Sequence, residues 1–263
     1  MLNFCSLYSG STGNSLFLKS ENTKILVDTG VSAKKIELAL HSLNEDIDTI
    51  DAILITHEHI DHVRSLGTLS KKHDIPVFAN SKTWDAMPEQ KDKMKEANIK
   101  EFNVAEKFMI GDLEILPFSI PHDAANPCGF NIYHDKTKVS IATDIGHIDN
   151  TIIRNLENSS FIMLESNYDP QILKYCSYPY LLKSRIAGPN GHLSNHSAGK
   201  TISYLLNTGL KEVMLGHLSK ENNFPELAYQ TVLEELKQNN YDESSVNLSV
   251  ASRVEPSKLI EVV

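Results

Sequence analysis

Thr56-His57-Glu58-His59-Ile60-Asp61-His62 follows without a break on the apolar run Asp51-Ala52-Ile53-Leu54-Ile55. The run predicts a buried strand over Asp51–Thr56, because β-branched and aliphatic residues fill it. In an extended segment residues i and i+2 point the same way, so His57 and His59 can hold one ion. The chain then turns into a helix, predicted over His62–His73, and the turn lets Asp61 and His62 swing toward a second ion. Imidazole and carboxylate together suit Zn²⁺, Mn²⁺ or Fe without any thiolate. Four specified residues in this order arise by chance in roughly one chain in several hundred. The competing reading is a solvated turn that happens to be rich in histidine.

Three further segments place a metal-ligand residue at the end of an apolar run. Leu113–Ile120 ends in Pro121-His122-Asp123, Val139–Thr143 in Asp144-Ile145-Gly146, and Glu212–Gly216 in His217-Leu218-Ser219. Loops at strand ends are exposed while the scaffold holds them still, which is where functional side chains gather. Each alone reads as a cap or a surface residue. With the first motif they complete two ion sites. The natural division puts His57, His59 and His122 on one ion and Asp61, His62 and His217 on the other, with Asp144 bridging both.

Around these motifs, short β-rich runs alternate with longer amphipathic stretches. Lys24–Asp28, Ser160–Glu165, Leu2–Leu7 and Leu16–Lys19 also read as strands, and Ser32–Leu43, Ser81–Lys95, Ser194–Asn207 and Pro225–Asn239 as helices. Ser32 and Ser194 are candidate N-caps, and Gly209 is a stop signal. The linker Tyr8-Ser9-Gly10-Ser11-Thr12-Gly13-Asn14 has the composition of a turn that must come close to something. Two sheets packed together with helices outside accommodate this pattern; a doubly wound parallel sheet is the alternative. No repeat, low-complexity tract or linker divides the 263 residues, so residues 1–263 are expected to form one domain.

The apolar fraction of 41% and charged fraction of 22% are those of an ordinary soluble protein. No apolar run is long enough to span a bilayer, and the N-terminus lacks the pattern of a signal peptide. Cys5, Cys128 and Cys176 are scattered and odd in number, which argues against a disulfide framework and for the cytoplasm. A net charge of −9 runs against simple nucleic-acid binding. Two divalent cations at one site would nevertheless reverse the local field.

The ordered series Asp28, His57-x-His59-x-Asp61-His62, His122, Asp144 and His217 resembles the motifs of the metallo-β-lactamase superfamily, from Asp28 to His217. That resemblance implies an α/β fold, a four-layer αββα sandwich with a dinuclear site along one edge of the paired sheets. It also implies that Asp28 supports the site without binding metal. Leu7–Ser15, Phe78-Ala79-Asn80 with Lys82-Thr83-Trp84, Glu165-Ser166-Asn167, Gly191–Asn195 and Gly216–Ser219 resemble the YycJ/WalJ-type subgroup. Members of that subgroup are compact, are described as 5′→3′ DNA exonucleases, and have genes beside a bacterial two-component system for cell-wall control. The resemblance therefore implies DNA ends as the partner and two divalent ions as cofactor, with Mn²⁺ favoured for activity and Zn²⁺ or Fe as alternatives. Two departures stand out: Tyr168 where the subgroup suggests His, and Ala187-Gly188-Pro189-Asn190 ahead of Gly191.

His192 lies in a Gly/Pro-rich loop before a predicted helix N-terminus, where it could touch the scissile phosphate or protonate the leaving oxygen. A loop histidine bonded to its neighbours is the competing role. Glu165 ends an apolar strand and could orient a ligand histidine or be a buried structural carboxylate. Lys183, Arg185 and Lys220 flank His192 and His217 in sequence and are candidate phosphate contacts; Trp84 reads as packing. In the expected reaction, water held between the ions is deprotonated near neutral pH and attacks phosphorus. Asp61 would orient that water, and His192 would protonate the leaving group. A phosphodiesterase for small cyclic or nucleotide substrates and a thioester hydrolase share this fold, and a non-catalytic metal-binding partner is a third class. The intact ligand set speaks against the last.

Overall fold

Lys24-Ile25-Leu26-Val27 is apolar from its second residue on, and Ile25, Leu26 and Val27 are fully buried. Such a run suits a central strand covered on both faces. The computed structural model, which describes residues 1–263, places it fourth, at the centre of a seven-stranded sheet. Strands β1 (Leu2–Tyr8), β2 (Ser15–Lys19) and β3 (Lys24–Val27) run antiparallel in turn. Strands β4 (Ala52–Leu54), β5 (Val77–Ala79) and β6 (Ile99–Glu101) then continue parallel to β3. The C-terminal strand Ile260–Val262 closes the other edge against β1.

The crossover from β3 to β4 contains α1 (Ala33–Ser42), which buries Ile36, Ala39 and Leu40, the spacing of one helical face. The helix expected over His62–His73 is broken in two, α2 (Ile60–Val63) and α3 (Leu66–His73). Ser65 sits at the break, its N–H and hydroxyl both bonded to Thr29 O at 3.0 and 3.1 Å. The helix expected over Ser81–Lys95 is likewise two short ones, α4 (Ser81–Ala86) and α5 (Pro88–Lys91). Pro88 lacks the N–H that a continuous helix would need there.

The other strands form a second seven-stranded sheet. It contains the antiparallel ribbon of β7 (Phe108–Ile110), β8 (Leu113–Ser119) and β9 (Cys128–His134). It also contains four parallel strands, β10 (Thr137–Ala142), β11 (Phe161–Glu165), β12 (Glu212–Gly216) and β13 (Asn247–Val250). Helices α6 (Asn150–Leu156), α7 (Pro170–Tyr175), α8 (Tyr180–Ile186), α9 (Asn195–Leu206) and α10 (Pro225–Gln238) lie between these parallel strands in sequence. Of the expected caps, Ser194 accepts the Ser197 N–H, whereas Ser32 makes no side-chain cap bond. Gly209, at φ +93°, follows the end of α9 in the left-handed region that favours glycine.

The chain divides into two compact units that interleave in sequence. The first comprises Met1–Ser119, Ala124–Thr137 and Ser252–Val263, and the second Ile120–Asp123 and Lys138–Ala251. No helix is long and apolar enough to cross a membrane.

Candidate metal centre

In the first unit, four of the expected ligands follow β4, His57 and His59 in the turn and Asp61 and His62 in α2. His57 and His62 are fully buried, and their ring centroids lie 4.1 Å apart; His59 lies 4.6 Å from His57. Asp28 organises this group. It follows β3 with φ +62°, and its Oδ1 accepts the Thr56 N–H at 2.9 Å. Its Oδ2 accepts the Thr56 hydroxyl at 2.8 Å and faces His62 Nδ1 at 2.7 Å. Thr56 Oγ1 in turn lies 2.9 Å from His57 Nδ1.

Asp61 opens α2, and its backbone carbonyl is gripped by the Gly/Ser-rich linker. Asn14 N–H donates to Asp61 O at 2.9 Å and Asn14 Nδ2 at 3.3 Å, while Asn14 Oδ1 accepts the Gly10 N–H at 2.9 Å. A Cβ on Gly30 would lie 1.5 Å from that same oxygen. The close approach expected of Tyr8–Asn14 is thus to the carbonyl of a ligand residue. Asn14, whose signal was its place in the subgroup motif, acts through this bond and through Nδ2, 3.1 Å from His62 Nε2.

The second unit brings together His122, Asp144, Glu165, His192 and His217. Strand β10 delivers Asp144 and β12 delivers His217, each just past its strand with φ +59° and +54°. Non-glycine residues seldom take this conformation, and Asp28 is a third case at a strand end. Asp144 Oδ1 lies 3.7 Å from His122 Nε2, 3.6 Å from His192 Nδ1 and 3.5 Å from His217 Nδ1. Glu165 is fully buried, and its Oε1 meets His192 Nδ1 at 2.8 Å and His217 Nδ1 at 2.9 Å. Its Oε2 accepts the backbone N–H groups of Ile145 and Leu193 at 2.7 and 3.1 Å. His122 Nδ1 lies 3.1 Å from Gly191 O.

Burial alone would raise the Glu165 carboxyl, but the charge and hydrogen bonds of His192 and the bond to His217 outweigh it and hold it below the usual range. Burial would likewise lower His192, yet the charge and hydrogen bond of Glu165, followed by Asp144, raise it. Asn167, given no role by sequence, donates to His217 O at 2.7 Å. Asn223 Nδ2 in turn binds the Ser166 and Asn167 carbonyls at 2.9 and 3.1 Å and steadies that loop.

Nδ1 is committed in four of the expected ligand histidines: His57 to Thr56, His62 to Asp28, His122 to Gly191 and His217 to Glu165. Nε2 is therefore the ring nitrogen an ion would meet, although at His62 that atom also lies 3.1 Å from Asn14 Nδ2, and the Nδ1 partners favour one tautomer and ring orientation. Together with Asp61 and Asp144 the donors are imidazole and carboxylate only, a set that fits divalent Zn, Mn or Fe.

The three basic residues expected at phosphate differ in their partners. Lys183 Nζ donates to Lys174 O and Cys176 O at 2.8 and 2.7 Å, so its ammonium ties α8 to the end of α7 and is not held out for phosphate. Arg185 Nε donates to Asp123 Oδ2 at 2.5 Å, beside His122. Lys220 is exposed just beyond His217, and Trp84 is fully buried with its indole N–H on Lys100 O.

The chain belongs to the metallo-β-lactamase superfamily: residues 23–218 match the Beta-lactamase superfamily domain. Within it, the chain is 38% identical over 234 residues to the exodeoxyribonuclease WalJ of Streptococcus pneumoniae, covering 88% of this chain and 87% of that one. It is 34% identical over 240 residues to the exodeoxyribonuclease YycJ of Bacillus anthracis, covering 91% of each. Among solved structures, the metallo-β-lactamase fold protein YhfI of Bacillus subtilis matches with a TM-score of 0.70 at 17% identity, over 97% of this chain and 98% of that one. This last likeness shows the fold, the expected αββα sandwich of two sheets flanked by helices.

Proposed function

We propose that the protein is a metal-dependent phosphodiester hydrolase that degrades DNA from the 5′ end. The observation that carries this reading is the identity of 34–38% to two exodeoxyribonucleases over nearly the whole chain. The donor set supports it. His57, His59 and His122 are assigned to one divalent ion and Asp61, His62 and His217 to a second, with Asp144 shared; the two ions are the cofactor, Mn²⁺ for activity. Residues 1–263 are taken as one catalytic domain in the cytoplasm, since the family match reaches across both compact units.

Divalent ions in such a set supply Lewis acidity toward the phosphoryl oxygens and make bound water more acidic. The protein's own residues do the rest. Asp61, whose side chain is partly exposed, can orient a water proton. Asp28 and Thr56 hold His62 and His57 in one tautomer, so no rotation is needed on binding. His192, held through Nδ1 by Glu165, can in its protonated form offer its Nε2–H to the departing oxygen. Lys220 and Arg185 are the cations assigned to the DNA backbone.

The test is incubation of EDTA-stripped protein with end-labelled single-stranded and duplex DNA, with and without added Mn²⁺ or Zn²⁺. Degradation only with metal is expected. Intact DNA alongside rapid turnover of a small cyclic phosphate would move the assignment to a nucleotide phosphodiesterase.

A further inference from the structure

A chain of net charge −9 must let a polyanion approach somewhere, and one stretch of the second unit lacks carboxylates altogether. Residues 170–211 contain Lys174, Lys183, Arg185, Lys200 and Lys211 but no Asp or Glu, although the whole chain has 34. Within that stretch, α7 and α8 border a cavity of about 480 Å³, a size that holds a nucleotide-sized group. Its floor is apolar, with Pro170 and the buried Leu173, and Tyr168 forms one side. Tyr180 and Lys174 stand at its rim.

The exposure of the rim is unusual for such side chains. Tyr180 is 80% exposed and Tyr175 76%, with the Lys174 ammonium 5.1 Å from the Tyr175 ring centroid. The internal bonds of Lys183 hold α8 in place without covering Tyr180. The cavity also adjoins the catalytic loop. At the end of α8, Ile186 O accepts the His192 N–H at 2.9 Å, and Tyr168 O accepts the Asn195 N–H at 3.0 Å.

We propose that this cavity is a single-strand subsite, in which one base of the DNA end stacks on Tyr180 above Pro170 and Leu173 while Lys174 meets the adjoining phosphate. The inference rests on the nuclease reading given above and deepens it, naming an unpaired end as the form of DNA that enters. Every base has a π-face, so a tyrosine platform beside a cation grips a strand without reading its sequence. A stretch that carries five cations and no carboxylate of its own adds less repulsion toward the backbone than the acidic remainder of the chain.

The test is fluorescence anisotropy with metal-loaded protein and a phosphorothioate oligothymidine of about twelve nucleotides, long enough for a binding site of this kind and resistant to cleavage. Tyr180→Ala should weaken binding about 5- to 100-fold, whereas Tyr180→Phe keeps the platform and should stay within about twofold of wild type. Lys174→Ala should reduce the salt dependence of log Kd by about 0.7. Thermal unfolding of each variant confirms that the fold is intact. Wild-type protein that degrades DNA while Tyr180→Ala binds the oligonucleotide normally overturns the subsite and leaves the nuclease standing. Wild-type protein that neither binds nor degrades DNA overturns both. Loss of a dimer in Tyr180→Ala, with oligonucleotide binding untouched, would make the patch a contact between copies and also overturns the subsite.

Discussion

Glu165 Oε1 lies 2.8 Å from His192 Nδ1 and 2.9 Å from His217 Nδ1, so one buried carboxylate oxygen orients both a proposed ligand and the proposed proton donor. Its other oxygen accepts two backbone N–H groups. Glu165→Gln replaces one of these acceptors with a donor, and a donor cannot serve either pair. Metal affinity or turnover should fall about 10- to 100-fold. Stability should fall by about 1–3 kcal/mol, because a buried polar group loses its partner. Metal titration and urea unfolding of the variant check both; unchanged metal affinity would remove Glu165 from the site.

Asp61 separates chemistry from folding. Its backbone carbonyl, not its carboxylate, is what Asn14 and Gly30 pack against. Asp61→Asn should therefore abolish hydrolysis with little change in the unfolding midpoint, and full turnover in that variant would exclude it from the mechanism. His192→Ala should cost more in rate than in bound metal. Elemental analysis showing that it strips an ion would instead make His192 a ligand.

Gly30→Ala tests the grip of the N-terminal linker on the ligand turn. A Cβ at 1.5 Å from Asp61 O cannot be accommodated without backbone movement. The expected loss is about 3 kcal/mol or more, at the upper end for overpacking. Urea unfolding that gives a wild-type midpoint would show that the turn yields freely.

The candidate ligands stand out in sequence because each follows an apolar strand, and strand ends are where a sheet holds side chains still. His57, His59, His122, Asp144 and His217 all have that form. What held them was harder to read. The left-handed backbone of Asp28, Asp144 and His217 leaves no mark on composition. Lys183 was expected at phosphate because it flanks His192 in sequence, and the backbone carbonyls that accept from it leave no mark there either. Strand β9 escaped notice because Gly129 and Asn131 interrupt its apolar pattern, although both are buried. Helix α8 spans only seven residues and buries none of them fully, so it is too short for a periodic pattern to stand out.

Lys138 gives a pH dependence that is independent of the metal centre. Its ammonium donates to Asn155 O and Glu157 O at 2.6 and 2.7 Å, and burial pushes it from the usual 10.5 down to about 8. Between those values the unfolded chain binds the proton and the folded chain does not, so stability should rise with pH across that window. Compared with Lys138→Met, the wild type should therefore gain in urea midpoint between pH 8 and 10.5. A constant difference between the two proteins over that range would contradict the lowered value.

The most direct test of the central claim is a time course on matched duplexes labelled at the 5′ or the 3′ end, using protein whose metal content has been measured. Close to two divalent ions per chain and early release of labelled mononucleotide from the 5′ label are expected. The 3′ label should remain at first in long, progressively shortened fragments, and EDTA should abolish both. Early release from the 3′ label would contradict the polarity. Protein that takes up no metal on supplementation yet cuts DNA at the same rate would contradict the site itself.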